Sequence, residues 1–179
     1  MLDAALTVLK RDGAAALTVR AITDEAGCST TGIYTHFGGK HGVIEAILLD
    51  GFESFDRALL PCYEADDLLG AGRAYRRWAL DNPTHYLVMF GRAVPDFVPS
   101  AEAVARGHRS FDALIEAVAR HGAADPLAAA YNLYATVHGY VMLELVGMGP
   151  VDTGELERLY EAGLVAATIG VAESSGTTR

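Results

Sequence analysis

The sequence predicts an all-α protein in which a small three-helix head precedes a larger helical body, about nine helices in all. Three observations carry that expectation. Apolar residues recur at three- and four-residue spacing almost throughout, without the alternation of a strand. Glycines and prolines fall mainly where helices would end or begin. Hydrophobic residues make up 51% of the 179, enough to fill one ordinary domain or a small head joined to a larger body.

The elements follow in order. Leu2, Ala5, Leu6 and Leu9 line one face of a first helix that Asp12-Gly13 stops. Thr18 is placed to cap a second helix, with Val19, Ile22 and Ala26 as its apolar members and Gly27 as its terminator. Ser29 opens a third, which ends near Phe37 at Gly38-Gly39. From Lys40 a longer helix carries Val43, Ile44, Ile47, Leu48, Phe52, Phe55 and Leu59, and Pro61 is expected to end it. Five more helices are expected over residues 68–80, 83–92, 101–121, 126–146 and 153–172, with Pro83 and Pro126 in first turns. The stretch "AVPDFVPS" reads as a linker and "ESSGTTR" as a frayed tail. The expected division is a head over 1–45, with its helix-turn-helix at about 18–37, and a body over 46–179.

Net charge is −9, which by itself argues against nucleic acid and anionic membranes. Its distribution softens that argument. The first fifty residues hold four basic residues (Lys10, Arg11, Arg20, Lys40) against six acidic ones, and the rest hold ten against seventeen. Two cysteines, Cys28 and Cys62, have no metal-ligand spacing and fit a reducing compartment. No signal-peptide order opens the chain. The most apolar stretch, 127–146, is interrupted by Asn132, His138 and Glu144, so no membrane span is expected and a cytoplasmic location is. No GxSxG, HExxH, Walker-type or GxGxxG motif occurs. His85, His108, His121 and His138 are not paired with carboxylates at metal spacing. The chain is accordingly expected to be no enzyme and to carry neither cofactor nor metal.

Attention falls on "GCSTTGIYTHFGGK", residues 27–40. Two short helices separated by a glycine-containing turn form the layout of a helix-turn-helix. At about 100° per residue, Thr30, Thr31, Tyr34 and Thr35 share one arc of the third helix, while Ile33 and Phe37 can anchor it to the first two. Hydroxyls bond phosphates or base edges, and a threonine methyl can meet a thymine methyl. Lys40 and the free N–H groups of the following helix add an anion site, and Arg20 can reach the same surface. Such a face also serves as ordinary solvated surface, and Asp24 and Glu25 lie close by.

The block "ALTVRAITDEAGCSTTGIYTHFGGKHGVIEAIL" resembles the N-terminal domain of the tetracycline-repressor (TetR) family of bacterial regulators. The likeness rests on Leu17 to Arg20, Ala26-Gly27, Ser29 and the G-I-Y-T-H-F-G-G-K run at 32–40. It implies a DNA-contacting set of Thr18, Arg20, Ser29, Thr30, Thr31, Tyr34, Thr35, His36 and Lys40. In that set Tyr34 and Lys40 would hold phosphates, and Thr30, Thr31 and Thr35 would lie nearest the bases. Members carry a basic arm ahead of the first helix, whereas here Met1 falls where that helix has already begun. The chain is therefore expected to be trimmed or to start upstream, and raw phosphate affinity to be low as it stands.

In the body, Tyr75, Trp78, Tyr86, Met89, Phe90, Phe111, Tyr134, His138 and Met142 are the candidates for an effector pocket. Tyr134, His138 and Met142 share one helical face. The same stripe would serve equally as plain core. "YRRWALDNPTHYLVMFG" (75–91) and "YATVHGYVMLEL" (134–145) resemble the C-terminal sensor domain of one subgroup of the family. That subgroup has Trp-Ala-x-x-His-Gly where this chain has Tyr134-Ala-Thr-Val-His138-Gly139. The resemblance implies a small-molecule effector that tilts the heads. Helix 126–146 is apolar on two sides, so Leu133, Val137, Tyr140 and Val141 are expected at a dimer interface, together with Leu156, Leu159, Tyr160, Gly163 and Ala167 of the last helix. The expected protein is a homodimeric repressor that leaves a palindromic double-stranded operator when its effector binds. The alternative is a helical small-molecule-binding protein that has lost DNA binding.

Overall fold

The computed structural model describes residues 1–91, 93–149 and 152–173, and among these every regular element is helical. The order is α1 (Leu2–Asp12), a 3-10 turn (Ala14–Ala16), α2 (Val19–Ala26), α3 (Thr30–Phe37), α4 (Lys40–Glu64), α5 (Leu68–Asp81), α6 (Pro83–Phe90), α7 (Ala101–Arg120), α8 (Pro126–Leu145) and α9 (Thr153–Glu173). Arg92, the expected end of α6, and the tail from residue 174 lie outside the described residues.

Most boundaries sit where the punctuating residues put them. Thr18 Oγ1 accepts the Ala21 N–H at 3.0 Å and caps α2. Asp125 caps α8 through the Ala128 N–H, with Pro126 in its first turn, and Pro83 opens α6 in the same way. Ser29 occupies the N-cap position of α3 with extended backbone, but its side chain makes no cap bond. Pro61 does not end α4, which runs to Glu64. Proline deletes one N–H bond near the helix end, while Leu59 and Tyr63 on either side are buried and hold the last turn in place.

The chain packs as two compact units. The first comprises Met1–Ser54 and Asn82–Gly107. Its core joins Ala5, Val8, Leu17, Ile22 and Ile33 of the head to Val43, Ile44, Ile47 and Leu48 of α4, Val88 of α6 and Ala103 of α7. The 93–100 connector is tied to α4. His41 bonds the Val98 carbonyl at 3.1 Å and packs on the Phe97 ring, and Ser100, the N-cap of α7, bonds Glu45.

The second unit comprises Phe55–Asp81 and His108–Arg179, with α5, α8 and α9 packed together. Arg76 holds Glu144 through two bonds of 2.8 and 2.9 Å and lies over the Tyr160 ring, and the Tyr160 hydroxyl donates to the Gly72 carbonyl. Several residues of the expected dimer set are used within this packing. Leu133, Val137, Val141, Tyr160 and Ala167 are buried within the single chain. Gly163 faces Tyr140 so closely that a Cβ there would come within 2.3 Å of the ring. These residues form the α8–α9 core, while Leu156 and Leu159 are half-buried beside it. The outward apolar residues are Leu127, Tyr131 and Leu143 on α8 and Val165 and Ile169 on α9.

Candidate nucleic-acid interface and effector site

The head is built so that α3 shows solvent its polar arc. Ile33 is fully buried and Phe37 half-buried, and these two side chains fix the helix to α1 and α2. Thr18, Arg20, Ser29, Thr30, Thr31, Tyr34, Thr35 and His36 are all exposed, and Lys40 is half-buried. Tyr34 is 58% exposed, far more than a ring that belongs to a core. Gly38, at φ 70°, gives the left-handed turn that stops α3. The chain then reverses so tightly that a Cβ on Gly42 would meet the Phe37 carbonyl oxygen at 1.7 Å. The Tyr34 ring rests over Gly39, which directly precedes Lys40 and the first turn of α4, whose leading N–H groups have no helical partner.

The basic side chains of the head differ in freedom. Arg11 binds Asp12 and Glu25 at 2.8–3.1 Å, and the Asp12 bond above all holds its guanidinium charged. Arg20 approaches Asp24 only to 3.8 Å, with both side chains in water, a pair of little energetic weight. Lys40 has no hydrogen-bond or ion-pair partner among the described residues. It also borders a groove of about 630 Å³ formed with Ala14, Ala15, His41, Ile44 and the 93–97 connector, which the sequence did not signal.

The nine expected effector residues divide between the units. Tyr86, Met89 and Phe90 belong to the first, where Tyr86 is buried and Phe90 meets the Phe52 ring edge-on at 6.2 Å. Tyr75, Trp78, Phe111, Tyr134, His138 and Met142 belong to the second. There a chain of rings runs from Trp78 through Phe55 and Tyr75 to His138, and on through Tyr134 to Phe111. The Tyr75 hydroxyl lies 3.3 Å from His138 Nδ1, and Tyr134 stacks on the imidazole at 5.3 Å. Burial lowers the pKa of His138, which favours a neutral ring, and burial likewise raises the Tyr134 phenol. Met142 is half-buried one turn beyond His138. Sequence reasoning gave Phe55 to the core and left out Tyr131, whose ring meets Phe111 at 6.4 Å. Its place three residues before Tyr134 was the available signal. Among the described residues no cluster of His, Cys, Asp and Glu could hold a metal, and no helix is long and apolar enough to cross a membrane.

A short helix anchored by two side chains, exposing hydroxyls, a tyrosine and an adjacent lysine, defines a helix-turn-helix protein of the DNA-binding regulator class. Residues 1–47 match the model of bacterial regulatory proteins of the tetR family, and residues 68–167 match the tetracyclin repressor-like C-terminal domain. The chain belongs to the TetR family. Among its relatives is the HTH-type transcriptional regulator Rv1816 of Mycobacterium tuberculosis, 27% identical over 115 residues, which are 60% of this chain and 49% of that one. The chain thus spans about half the length of the curated relatives it matches first. A crystal structure described as that of a putative regulatory protein, SCO4313, superposes with a TM-score of 0.83 at 25% identity, covering 93% of this chain and 92% of the other. A TetR variant from Acinetobacter baumannii, in complex with minocycline, shares the fold at a TM-score of 0.64 and 15% identity, covering 98% and 96% of the two chains. The family and these relatives are transcriptional regulators rather than enzymes.

Proposed function

We propose that the protein is a cytoplasmic, homodimeric repressor that binds a palindromic double-stranded operator and releases it when a small molecule binds the body. The observation that carries this reading is the exposed arc of α3, where Thr30, Thr31, Tyr34 and Thr35 face solvent while Ile33 and Phe37 are held inside. Tyr34 and Lys40 hold backbone phosphates, the three threonines read base edges, and Thr18, Arg20, Ser29 and His36 flank them. The effector contacts the ring chain around Tyr75, Tyr134 and His138. The minocycline bound by the Acinetobacter protein supports a small-molecule occupant for this kind of body. Two copies pair through the outward apolar residues of α8 and α9, which gives each head its partner half-site.

Fluorescence anisotropy with the palindrome upstream of the protein's own gene tests the reading. Binding that weakens steeply with salt supports it, and absence of binding at low ionic strength sinks it. A second reading, a helical small-molecule binder without DNA affinity, is favoured by the acids beside Arg11 and Arg20, and the same titration separates the two.

A further inference from the structure

We propose that the groove beside Lys40 binds an amphipathic organic anion, one carboxylate on an apolar body, and that this ligand draws Lys40 away from DNA. The groove has a volume of about 630 Å³ and lies wholly within the first unit. Sites for small molecules run from about 300 to 1,000 Å³. Three separate segments wall it: the 3-10 turn through Ala14 and Ala15, the start of α4 through Lys40, His41 and Ile44, and the 93–97 connector. Ile44 is buried, while Ala14, Val94 and Phe97 are half-buried and packed on the core beneath. The apolar carbon they leave in water is what the body of a ligand covers.

The polar groups of the lining differ in what they offer. His41 is already engaged, with Nε2 3.1 Å from the Val98 carbonyl oxygen and its ring against Phe97, so it serves as wall. Asp96 is exposed on the connector, where water screens its charge. Lys40 is half-buried and has no hydrogen-bond or ion-pair partner among the described residues, Asp96 included. An unpaired ammonium on a flexible stem, set beside apolar carbon, selects an anion that carries an apolar body. An inorganic anion would leave the apolar walls wet, and a neutral hydrocarbon would leave the ammonium without a partner. The competition with DNA rests on the assignment of Lys40 to a backbone phosphate under the proposed function. One ammonium cannot pair fully with both, so ligand and DNA weaken each other by the same factor, with no movement of the second unit required.

Calorimetry and amide spectra of the full chain with 4-phenylbutyrate test the site, with 4-phenylbutanol as the uncharged counterpart. The expected result is saturable shifts of the amides of Ala14, Ala15, Lys40, His41, Ala93 and Val94. The alcohol should bind the parent about tenfold more weakly than the acid, and Lys40→Met should bind the acid as weakly as the alcohol. Ala15→Trp, which fills the groove from an exposed position, should bind neither. Absence of binding at millimolar acid, or equal affinity for acid and alcohol, overturns the site. Shifts confined to the rings around His138 also overturn it and leave the effector reading standing. The comparison of acid with alcohol uses the parent alone and decides even where a variant is unstable.

Anisotropy with the operator duplex tests the competition. Saturating 4-phenylbutyrate is expected to weaken DNA binding of the parent by roughly five- to tenfold, the loss of one phosphate contact, and that of Lys40→Met by less than twofold. A parent that takes the acid in the groove and keeps its full DNA affinity overturns the competition. A parent that binds no DNA at low salt overturns the repressor reading and the competition with it, and the anion site is then decided by the calorimetry.

Discussion

The Tyr75 hydroxyl on α5 and His138 Nδ1 on α8 lie 3.3 Å apart, with Tyr134 stacked on the same imidazole. This contact joins two helices of the second unit through a ring that burial keeps neutral, and burial alone lowers the His138 pKa. The sign of its effect on stability follows. In the unfolded chain the imidazole takes up a proton near its ordinary value of about 6.5, while the folded protein resists until lower pH. Between those two points the unfolded state holds more protons, so stability falls as pH drops below about 6.5 and levels off once the folded ring is itself protonated. His138→Gln is expected to flatten that part of the profile. Thermal melts of both proteins from neutral to mildly acid pH measure it, and parallel slopes would refute the assignment.

The nucleic-acid reading divides the residues of α3 into two kinds. Tyr34→Ala is expected to weaken operator and random DNA alike by roughly five- to tenfold, the loss of one phosphate contact. Lys40→Ala should in addition lower the slope of affinity against salt by about 0.9. Thr31→Ala should change preference at one operator position by about 1 kcal/mol while leaving random DNA unchanged. Anisotropy on matched operator and scrambled duplexes measures all three, and equal losses on both duplexes for every variant would sink the division.

The turn that aims Lys40 rests on the absence of a side chain at Gly42. Alanine there places Cβ at 1.7 Å from the Phe37 carbonyl oxygen, a backbone atom that cannot swing aside. Gly42→Ala is therefore expected to destabilise the head by about 2 kcal/mol or more, whereas alanine in a helix usually improves on glycine. Urea unfolding followed by far-ultraviolet circular dichroism reads the difference. A variant as stable as the parent would show that the reversal between α3 and α4 is looser than the structure has it.

Much of this was legible in the sequence because local chemistry decided it. Thr18 caps, Gly27 and Gly38 reverse the chain, and Ile33 falls on the inner face of α3, all within one turn of the residues that cause them. The errors came where a distant neighbour decides. Pro61 has the chemistry of a breaker, but burial of Leu59 and Tyr63 outweighs one lost bond so close to the helix end. Helix α8 is apolar on two sides, and periodicity alone does not tell which side meets its own chain. The face of Leu133, Val137 and Val141 is inward because α5 and α9 happen to cover it. Tyr131 was missed although it stands three residues before Tyr134, because an exposed aromatic reads as surface until its distant partner, the Phe111 ring on α7, is known.

The inner and outer faces of α8 and α9 separate folding from assembly. Leu143 and Ile169 are 47% and 52% exposed, and Val165 is exposed one turn before Ile169, so apolar side chains from both helices face outward within one unit. If that surface pairs two copies, Leu143→Glu and Ile169→Glu each bury a charge only in the dimer, an uncompensated cost large enough to dissociate it. The monomer should stay folded, because neither side chain contributes to its core. Leu133 is 4% exposed, and Leu133→Ala opens a cavity inside the unit. Its expected effect is a loss of about 2–5 kcal/mol in stability. Sedimentation velocity together with thermal melting distinguishes the cases. The two glutamate variants should sediment as folded monomers, and Leu133→Ala as a destabilised protein whose folded fraction still pairs. The opposite pattern, with glutamate variants still paired and Leu133→Ala a folded monomer, would return the interface to the inner face.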